Sequence, residues 1–339
     1  MASGLHMQVT FANGTTESTS TELSIIIVNW NSVEFLRKCI ASVKAETTGV
    51  VYEIVVIDSA SFDGCDRMLR EEYPEVQFIQ GTKNVGFGRA NNAAFKVSRG
   101  RCLLFLNPDT EVLSSAIGIM YSFLQTLPTA GAVGCKLLNA DRSLQTSCIQ
   151  SFPTILNQVL DTEWLRRRWP KSVLWGMAPL FADSFEPKVV EAIAGACVMM
   201  KREAFERVGL FSEEYFMYAE DIDLSYKLAR GGYKNYYIPT ATVVHYGGGS
   251  SQEAPSNFSV VMMRESIWRF LGKTRGRGYA SLYRLSMLIS ALGRLAVLWV
   301  RQVDPSACRD RSTTGNSFSK WRAVLRWSLN RQEMVKQYD

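Results

Sequence analysis

Apolar residues in the first third of this 339-residue chain follow two alternating patterns. Short runs rich in β-branched residues alternate with segments in which apolar residues recur every three or four positions, as at Leu36, Ile40 and Val43. A short apolar run indicates a strand buried on both faces, and the longer spacing indicates a helix with one face on the core. The predicted strands are Leu23–Val28, Tyr52–Ile57, Val76–Ile79 and Leu103–Leu106. Strands and helices that alternate in this way predict an α/β fold with a mostly parallel central sheet.

Polar side chains follow three of these strands at the point where each strand ends. Asn29 and Asn31 follow the first strand, Asp58 follows the second, and Asn107-Pro108-Asp109 follows the fourth. In open α/β sheets, ligands bind at the edge where the carboxyl ends of the strands lie. A carboxylate at this edge suits a divalent cation or the N–H of a nucleobase. Each motif alone also has an ordinary interpretation, because Asn-Pro-Asp is a turn signal and Asp58 could cap the next helix.

A glycine loop, Asn84-Val85-Gly86-Phe87-Gly88-Arg89, precedes another predicted helix. Glycines let the backbone approach a ligand closely, and the N-terminus of a helix attracts phosphate. Arg89 adds a cation beside the loop. The loop is not a dinucleotide-binding fingerprint, since the third glycine is absent and the loop does not follow the first strand. A plain turn is the alternative interpretation.

The second half of the chain has three carboxylates at the start of a predicted helix. Glu220, Asp221 and Asp223 follow the aromatic segment Phe216–Tyr218, and Gly231-Gly232 ends the helix. Helix capping alone favours carboxylates in a first turn. Aromatic neighbours would also partly dry these groups, which suits a general base. Asp221 and Asp223 lie about 200° apart on a helix, so they cannot share one role.

Two further segments have residue types that suit a binding site. His245 ends a predicted strand and precedes a glycine run, which makes it a candidate metal ligand. Trp164, Trp169 and Trp175 alternate with basic residues. This pattern fits a nucleic-acid patch, a loop that stacks on a sugar through Trp164, or a lip that faces a membrane. No recognisable nucleic-acid-binding motif accompanies it, so nucleic acid is not the expected partner.

The composition indicates a globular chain in a reducing compartment. Hydrophobic residues make up 47% and charged residues 21%, which are globular values. The seven cysteines form no Cys-x-x-Cys pair, so we expect buried free thiols and neither a disulfide framework nor a zinc site. Residues 1–21 are rich in Ser, Thr, Gly and Asn. They are expected to form a disordered tail, and they resemble neither a signal peptide nor an anchor.

The net charge of +6 is unevenly distributed along the chain. Residues 251–339 carry 15 Lys and Arg against 6 Asp and Glu, which implies an anionic partner. Within this region, Ala280–Val300 holds nine Leu, Ile and Val residues but is interrupted by Arg284 and Arg294. The free-energy cost of inserting these two arginines into a bilayer offsets the free energy gained by inserting the aliphatic residues, so a membrane-spanning helix is not favoured. The segment is instead expected to lie on the inner leaflet as an amphipathic helix that contacts anionic lipid. The alternative is packing against the catalytic domain or a second copy of the chain.

Taken in order, five segments resemble the motifs of family 2 glycosyltransferases with the GT-A nucleotide-sugar fold. The resemblance covers about Leu23 to Ser251 and is strongest to the branch that transfers rhamnose or related sugars to lipid-linked or surface polysaccharide acceptors. The five segments are Ile25–Asn31, Val55–Ser59, Asn84–Gly88, Leu106–Asp109 and Phe216–Leu224.

The resemblance implies an inverting transfer from a nucleoside-diphosphate sugar to a polyprenyl-linked or polysaccharide acceptor, with Mg²⁺ or Mn²⁺ as cofactor. By position, Asn29, Asn31 and Asp58 would hold the base and ribose. Gly86 and Arg89 would border the donor phosphates.

The same comparison by position assigns the reacting groups. Asp221 matches the catalytic base, and Glu220 beside it is expected to contact substrate. Asp109 and His245 match the groups that contact the metal. Asn107 stands where many relatives have Asp, so fewer anionic ligands face the cation, although an amide oxygen can still coordinate.

These patterns predict three regions and leave two rival functions. Residues 1–21 form the tail, 22–255 the GT-A catalytic domain, and 256–339 a basic helical extension; the catalytic domain has a nucleotide-binding half, 22–112, and an acceptor half, 113–255. The enzyme is expected to be cytoplasmic and peripheral on the inner face of the membrane. A sugar-phosphate nucleotidyltransferase is one rival, but it requires a basic glycine-rich loop after the first strand. A non-catalytic nucleotide-sugar-binding scaffold is the other rival, and it would not need Asp221.

Overall fold

The computed structural model describes residues 8–10, 20–247, 257–303 and 311–331, with only the backbone described for 8–10, 301–303 and 311–316. The described residues form two compact units. The first contains those up to Phe152, together with Trp169–Phe216 and those from Glu220 to 247. The second contains Pro153–Arg168, Met217–Ala219 and those from 257 onward. The second unit thus takes in two segments from the middle of the chain as well as the C-terminal helices, and the predicted boundary at 255/256 stays a prediction.

The first unit is built on a ten-stranded sheet with the order β1-β4-β3-β2-β5-β11-β7-β12-β6, in which β9 pairs with β12. A separate two-stranded sheet joins β8 and β10. The strands are β1 (Gln8–Thr10), β2 (Leu23–Asn29), β3 (Tyr52–Asp58), β4 (Gln77–Gln80), β5 (Cys102–Leu106), β6 (Thr110–Leu113), β7 (Ala130–Leu138), β8 (Ile149–Gln150), β9 (Lys188–Val190), β10 (Ala192–Ile193), β11 (Cys197–Lys201) and β12 (Lys234–His245).

Helices are found in both units. Those of the first unit are α1 (Val33–Glu46), α2 (Cys65–Glu72), α3 (Phe87–Phe95), α4 (Ala116–Thr126), α7 (Arg202–Arg207) and α8 (Glu220–Arg230). Those of the second unit are α5 (Ile155–Val159), α6 (Glu163–Arg168), α9 (Phe258–Arg275), α10 (Arg277–Val303) and α11 (Arg311–Ser328).

The predicted α/β alternation is confirmed in the first half of the sheet. Strands β2 and β5 are buried at every position, as expected of central strands covered on both faces. Strand β2 pairs in parallel with both β3 and β5, and β3 pairs in parallel with β4. The carboxyl ends of β2, β3 and β5 therefore lie at one edge of the sheet.

Beyond β5 the sheet becomes mixed. Strand β11 is antiparallel to both β5 and β7, and β12 is parallel to β7 but antiparallel to β6. The β6–β12 pairing places His245 opposite Thr110. No apolar pattern predicted β6, yet this short strand brings the end of β12 to the Asn107-Pro108-Asp109 segment.

The structure bears on the expectations for the N-terminal tail, the cysteines and the tryptophan-rich patch. Residues 8–10 form β1, which pairs with β4, so the prediction of a disordered tail over 1–21 is wrong there; 1–7 and 11–19 lie outside the described residues. The six cysteines described are buried and free, as predicted. Trp175 is only 4% exposed and donates from Nε1 to the carbonyl of Trp169, so this tryptophan of the predicted surface patch is a packing residue.

Candidate active site

Asn29 and Asp58 are neighbours at the ends of β2 and β3. Asn29 Nδ2 donates to Asp58 Oδ1 at 2.9 Å, and both residues are fully buried. Asp58 also accepts from the backbone N–H groups of Ser61 and Phe62, at 3.0 and 3.3 Å, and from Gln80 Nε2 at 2.8 Å. The Asp58 carboxylate is thus supplied with protein donors, whereas Asn29 Oδ1 is buried without a donor among the described residues. Asn29, more than Asp58, retains an unused acceptor at this strand edge.

Asp63 connects the loops that follow β2 and β3. Its carboxylate accepts from the backbone N–H of Ser32 at 2.9 Å and from Asn29 Nδ2 at 3.2 Å. Burial alone would raise the pKa of Asp63, but hydrogen bonds from Asn29, Cys65 and Ser32 lower it below its ordinary value. Asn31 lies in the first of these loops with a left-handed φ of 51°, a conformation that asparagine tolerates.

Asp58, Asp63 and Cys65 lie close enough to hold a cation, with their ligand atoms within 4.8 Å of one another. The chemistry of this cluster does not favour a metal. Burial raises the pKa of the Cys65 thiol well above its ordinary value, so the thiol stays protonated and is a poor ligand. The two carboxylates serve the loop contacts described above. We therefore interpret the cluster as the structural closure of the loop between β3 and α2.

The glycine loop packs against the segment that leads to α8. Gly86 has φ of 85°, and a Cβ at this position would lie 2.1 Å from the carbonyl oxygen of Phe216. The next N–H, that of Phe87, donates to the same carbonyl at 3.1 Å. Gly86 is therefore required by the close approach of two backbones. Arg89 is exposed in the first turn of α3, and its Nε lies 3.9 Å from Glu213.

Asn107, Asp109 and His245 converge at the end of β5. His245 Nε2 lies 3.3 Å from Asp109 Oδ1 and 3.3 Å from Asn107 Nδ2. The antiparallel pairing of β6 with β12 causes this approach, and the Tyr246 N–H donates to the Asp109 carbonyl at 2.9 Å. Asp109 is 6% exposed. A carboxylate and an imidazole are ligands that suit Mn²⁺. The Asn107 amide presents its nitrogen to His245 here, so its oxygen could coordinate once the amide turns over.

Gln145 is a site residue that sequence reasoning missed. Its Oε1 lies 2.9 Å from His245 Nδ1, and its Nε2 donates to Asn139 Oδ1 at 3.1 Å. Since the amide oxygen can only accept, Nδ1 carries a proton, and in the neutral imidazole the lone pair then lies on Nε2, on the side of Asp109. Metal-ligating histidines are commonly oriented in this way by a second partner. The donor set therefore fits a divalent cation, with His245 already in the tautomer that a ligand needs.

Replacing Gln145 with Leu is expected to weaken Mn²⁺ binding about 10- to 100-fold, because the imidazole loses the acceptor that fixes its tautomer. Titration calorimetry with Mn²⁺ alone measures this without any turnover. Gln145→Glu retains an acceptor and should bind Mn²⁺ nearly as wild type does. Gln125→Leu, which removes a glutamine bonded to Cys102, serves as the control. Equal Mn²⁺ affinity in Gln145→Leu and wild type would exclude this role.

Asp221 lies in the first turn of α8 with both carboxylate oxygens engaged by backbone donors. Oδ2 accepts from the N–H of Gly195 at 2.8 Å, and Oδ1 accepts from the N–H of Ile222 at 2.8 Å. Burial raises the pKa of Asp221 above its ordinary value, while these backbone donors act in the opposite direction. A carboxylate that is partly desolvated and held by two N–H groups has the properties of a positioned general base.

Glu220, immediately before Asp221, is 6% exposed, and its Oε2 has no partner among the described residues. Burial, and then the neighbouring charge of Asp221, raises the pKa of Glu220 to about 8. At neutral pH the Glu220 side chain is therefore held mainly as the neutral acid. The neutral form of Glu220 spares Asp221 the repulsion of a second charge.

The burial of Glu220 predicts a pH-dependent stability. The unfolded chain releases this proton near the ordinary value of 4.5, and the folded chain holds it up to about 8, so the free energy of unfolding falls as pH rises between these values. Glu220→Gln removes this titration. The variant should be more stable than wild type at pH 8, by roughly 1.4 kcal/mol for each pH unit of the shift, and nearly equal at pH 4.5. Urea unfolding at several pH values tests this, with the exposed Glu186→Gln as control. A stability difference that does not vary with pH would contradict it.

The backbone before α8 and the buried carboxylate of Asp223 differ in what they indicate: the first is typical of a functional site, and the second has a structural role. Tyr218 and Ala219, which precede the helix, have left-handed φ of 71° and 61°. Such strain in adjacent non-glycine residues is typical of functional sites. Asp223 is fully buried and accepts from Ser212 Oγ at 2.5 Å and Tyr215 Oη at 3.4 Å, so it holds the preceding loop. Asp221 and Asp223 thus have different partners, as their angular separation on the helix predicts.

Gly195 and Ala196 connect the two groups of candidate residues. The N–H of Gly195 donates to Asp221, and the carbonyl of Ala196, the next residue, accepts from the N–H of Asn107 at 2.9 Å. A Cβ at Gly195 would lie 3.3 Å from Asp221 Cβ, which leaves little room for any other residue there. The candidate base and the candidate metal ligands therefore belong to one continuous part of the first unit.

Trp164 is the one predicted site residue that lies in the second unit. It belongs to α6, and it is 67% exposed. Its predicted contact with a sugar remains a prediction.

Comparison with known proteins gives a family match and several relatives. The model of the family "Glycosyl transferase family 2" matches residues 24–209. The N-acetylglucosaminyl-diphospho-decaprenol L-rhamnosyltransferase of Mycobacterium tuberculosis is 27% identical over 252 residues, which are 69% of this chain and 79% of the relative. Rhamnosyltransferase WbbL of Escherichia coli is 25% identical over 263 residues, which are 74% of this chain and 93% of the relative.

The fold is also similar to a solved structure, mannosyltransferase PcManGT from Pyrobaculum calidifontis in complex with GDP-Man and Mn²⁺. The TM-score is 0.58 at 17% identity, over 91% of this chain and 86% of the other. This similarity confirms the predicted glycosyltransferase fold.

Proposed function

Because the chain belongs to glycosyl transferase family 2, as its motifs predicted, we propose that it transfers a sugar, with inversion, from a nucleoside-diphosphate sugar to a hydroxyl of a lipid-linked glycan. The observation that carries this proposal is the backbone connection through Gly195 and Ala196 between Asp221 and the Asn107–Asp109 segment. A displacement at the anomeric carbon needs a proton acceptor on one side and stabilisation of the leaving group on the other.

Asp221 acts as the general base in this proposal. Its carboxylate takes the proton of the acceptor hydroxyl while that oxygen forms a bond to the anomeric carbon. The bond between this carbon and the diphosphate oxygen breaks on the opposite face, and the diphosphate leaves with the electron pair. Inversion follows from this single displacement, and no covalent intermediate with the enzyme is needed. The backbone donors of Gly195 and Ile222 hold the base in place, and neutral Glu220 lies beside it.

Asp109, His245 and Asn107 would hold the divalent cation. A bound Mg²⁺ or Mn²⁺ would neutralise charge on the departing diphosphate. Asp109 would supply the anionic ligand, and Gln145 fixes the His245 tautomer. Asn107 would offer a neutral oxygen in place of a second carboxylate once its amide, whose nitrogen faces His245, turns over. Asn29, Asn31 and the loop that Asp58 shapes would bind the base and ribose, and Gly86 and Arg89 would border the phosphates.

The names of the relatives suggest the substrates. The mycobacterial relative is named for rhamnosyl transfer to a decaprenyl-diphosphate-linked N-acetylglucosamine, and PcManGT was solved with GDP-Man and Mn²⁺. We propose a rhamnose donor and a polyprenyl-diphosphate-linked acceptor for this chain, and action at the cytoplasmic face of the membrane. The two rivals, a nucleotidyltransferase and a non-catalytic scaffold, are not favoured by the family match.

A donor panel tests the proposal. Thermal-shift measurements with Mn²⁺ and a set of nucleotide sugars should give the largest stabilisation with the true donor. Transfer from that donor to a short-chain polyprenyl-diphospho-N-acetylglucosamine would then be followed by mass spectrometry, and the anomeric configuration of the product by NMR. Retention of configuration, or release of a nucleotide sugar from sugar phosphate and nucleoside triphosphate, would contradict the proposal.

A further inference from the structure

Helix α10 packs within the second unit through one narrow face. Ala280, Tyr283, Met287 and Ala291 recur at helical spacing, and each is at most 1% exposed. Helix α10 contacts α9, α11 and α5 of the same unit. By length and composition, Arg277–Val300 could also cross a membrane, although only 17% of its apolar window is buried. Most of the helix surface therefore faces outward.

The two arginines that interrupt the apolar segment face the neighbouring helices. Arg284 pairs with Glu265 at 3.3 Å, and its guanidinium lies 4.5 Å from the ring centre of Trp268. Arg294 lies 4.3 Å from the ring centre of Trp321 and donates to the carbonyl of Val159 at 3.3 Å. Both charges are thus satisfied inside the unit. Neither arginine therefore lies on the exposed face of α10.

The outward face of α10 consequently carries no charge between positions 281 and 300. Its exposed positions are Ser281, Gly293, Ala296 and seven large apolar residues, the latter 50–64% exposed. We call these seven the apolar stripe: Leu282, Leu285, Ile289, Leu292, Val297, Trp299 and Val300. A contiguous exposed row of this kind marks an interaction surface.

Charge at one end of the apolar stripe indicates the partner. Lys273, Arg275 and Arg277 are exposed just before it, and no acidic residue lies between 266 and 303. Trp299 at the other end is an aromatic residue of the kind enriched where membrane meets water. A long apolar face with cations at one end is complementary to an anionic bilayer, which offers hydrocarbon below a layer of negative headgroups.

We propose that α10 lies in the plane of an anionic phospholipid bilayer, with the apolar stripe immersed and Lys273, Arg275 and Arg277 among the headgroups. A spanning arrangement would require Arg284 and Arg294 to leave Glu265, Trp321 and the Val159 carbonyl. The proposal rests on and deepens the proposed function, since a lipid-linked acceptor requires the enzyme at a membrane, but its evidence is the exposed surface of α10 and of the C-terminal end of α9.

Vesicle flotation of the full chain, without nucleotide or donor, tests the inference. Wild type should float with phosphatidylcholine vesicles that contain 30% phosphatidylglycerol, and at least tenfold less with phosphatidylcholine alone. The double variant Ile289→Glu/Leu292→Glu should lose binding at least tenfold with an unchanged melting temperature. Arg275→Glu/Arg277→Glu should lose the dependence on phosphatidylglycerol. Phe185→Glu, which changes an exposed phenylalanine of the first unit, should bind as wild type does.

Several outcomes would overturn the inference. Wild type that fails to float, or an Ile289→Glu/Leu292→Glu variant that floats fully, would remove the bilayer as partner. Sedimentation that shows a wild-type dimer and a monomeric stripe variant would assign the surface to a second copy. Retention of wild type on vesicles after a carbonate wash would indicate spanning. Nucleotide binding, measured by thermal shift on the same samples, reports separately on the proposed function.

Discussion

Asp221→Asn is expected to abolish sugar transfer while leaving nucleotide affinity unchanged. The substitution keeps the size of the side chain and one oxygen that can accept from the Gly195 N–H, and it gives up only the acceptor for the Ile222 N–H. It removes the group that takes the acceptor proton, and loss of a general base costs about 10²- to 10⁴-fold in rate. Turnover is measured by product formation and nucleotide affinity by calorimetry.

Asp223→Asn is the matched control on the same helix. Asp223 is buried against Ser212 and Tyr215, so its loss should lower the melting temperature more than it lowers the rate. Rates within tenfold of wild type in Asp221→Asn would remove Asp221 from the role of base. A falling wild-type rate on acidification is also expected, because burial raises the pKa of Asp221 and protonation removes the acceptor.

The second large effect is expected from Asp109→Ala. Asp109 is the only carboxylate in the set formed with Asn107 and His245, so its removal leaves two neutral ligands for a divalent cation. Nucleoside-diphosphate binding in wild type should be strengthened by Mn²⁺, and this gain should disappear in the variant. Affinity without Mn²⁺ should be the same in both proteins.

Calorimetric titration with and without Mn²⁺ measures both quantities. Glu111→Gln is the control, since this nearby carboxylate bonds Tyr246 and Arg142 and lies outside the set. Wild-type affinity that does not respond to Mn²⁺ would refute the metal assignment altogether. A variant that retains the full response would move the ligand role to another residue.

The sequence predicted those parts of the site that depend on one strand and its end. Asn29 and Asp58 follow buried apolar runs, and parallel pairing alone brings them together. The sequence indicated less clearly those contacts that depend on pairing between segments far apart in the chain. His245 reaches Asp109 only because β6, four residues long, pairs antiparallel with β12.

Other features had no signal in the pattern of residues. Gln145 is an ordinary polar residue after a turn, and its role exists only through the position of His245. The orientation of Arg284 and Arg294 depends on which neighbours supply aromatic rings and acceptors. Hydropathy averages over both faces of a helix, so it could not separate the inward arginines from the apolar stripe. The sequence likewise did not show that the Asp58 carboxylate already accepts hydrogen bonds from the N–H groups of Ser61 and Phe62 and from Gln80.

The connection through Gly195 and Ala196 has a consequence for how this protein can change its substrates. In the proposed mechanism, two consecutive main-chain groups hold the proton acceptor Asp221 and the Asn107 segment on the leaving-group side, so their spacing does not depend on any side chain that selects a sugar. Mutations in the surrounding recognition loops can therefore alter donor or acceptor choice without disturbing the distance over which the displacement occurs. Exchange of those loops between related chains should yield hybrids that differ in the glycan they build and keep the same chemistry.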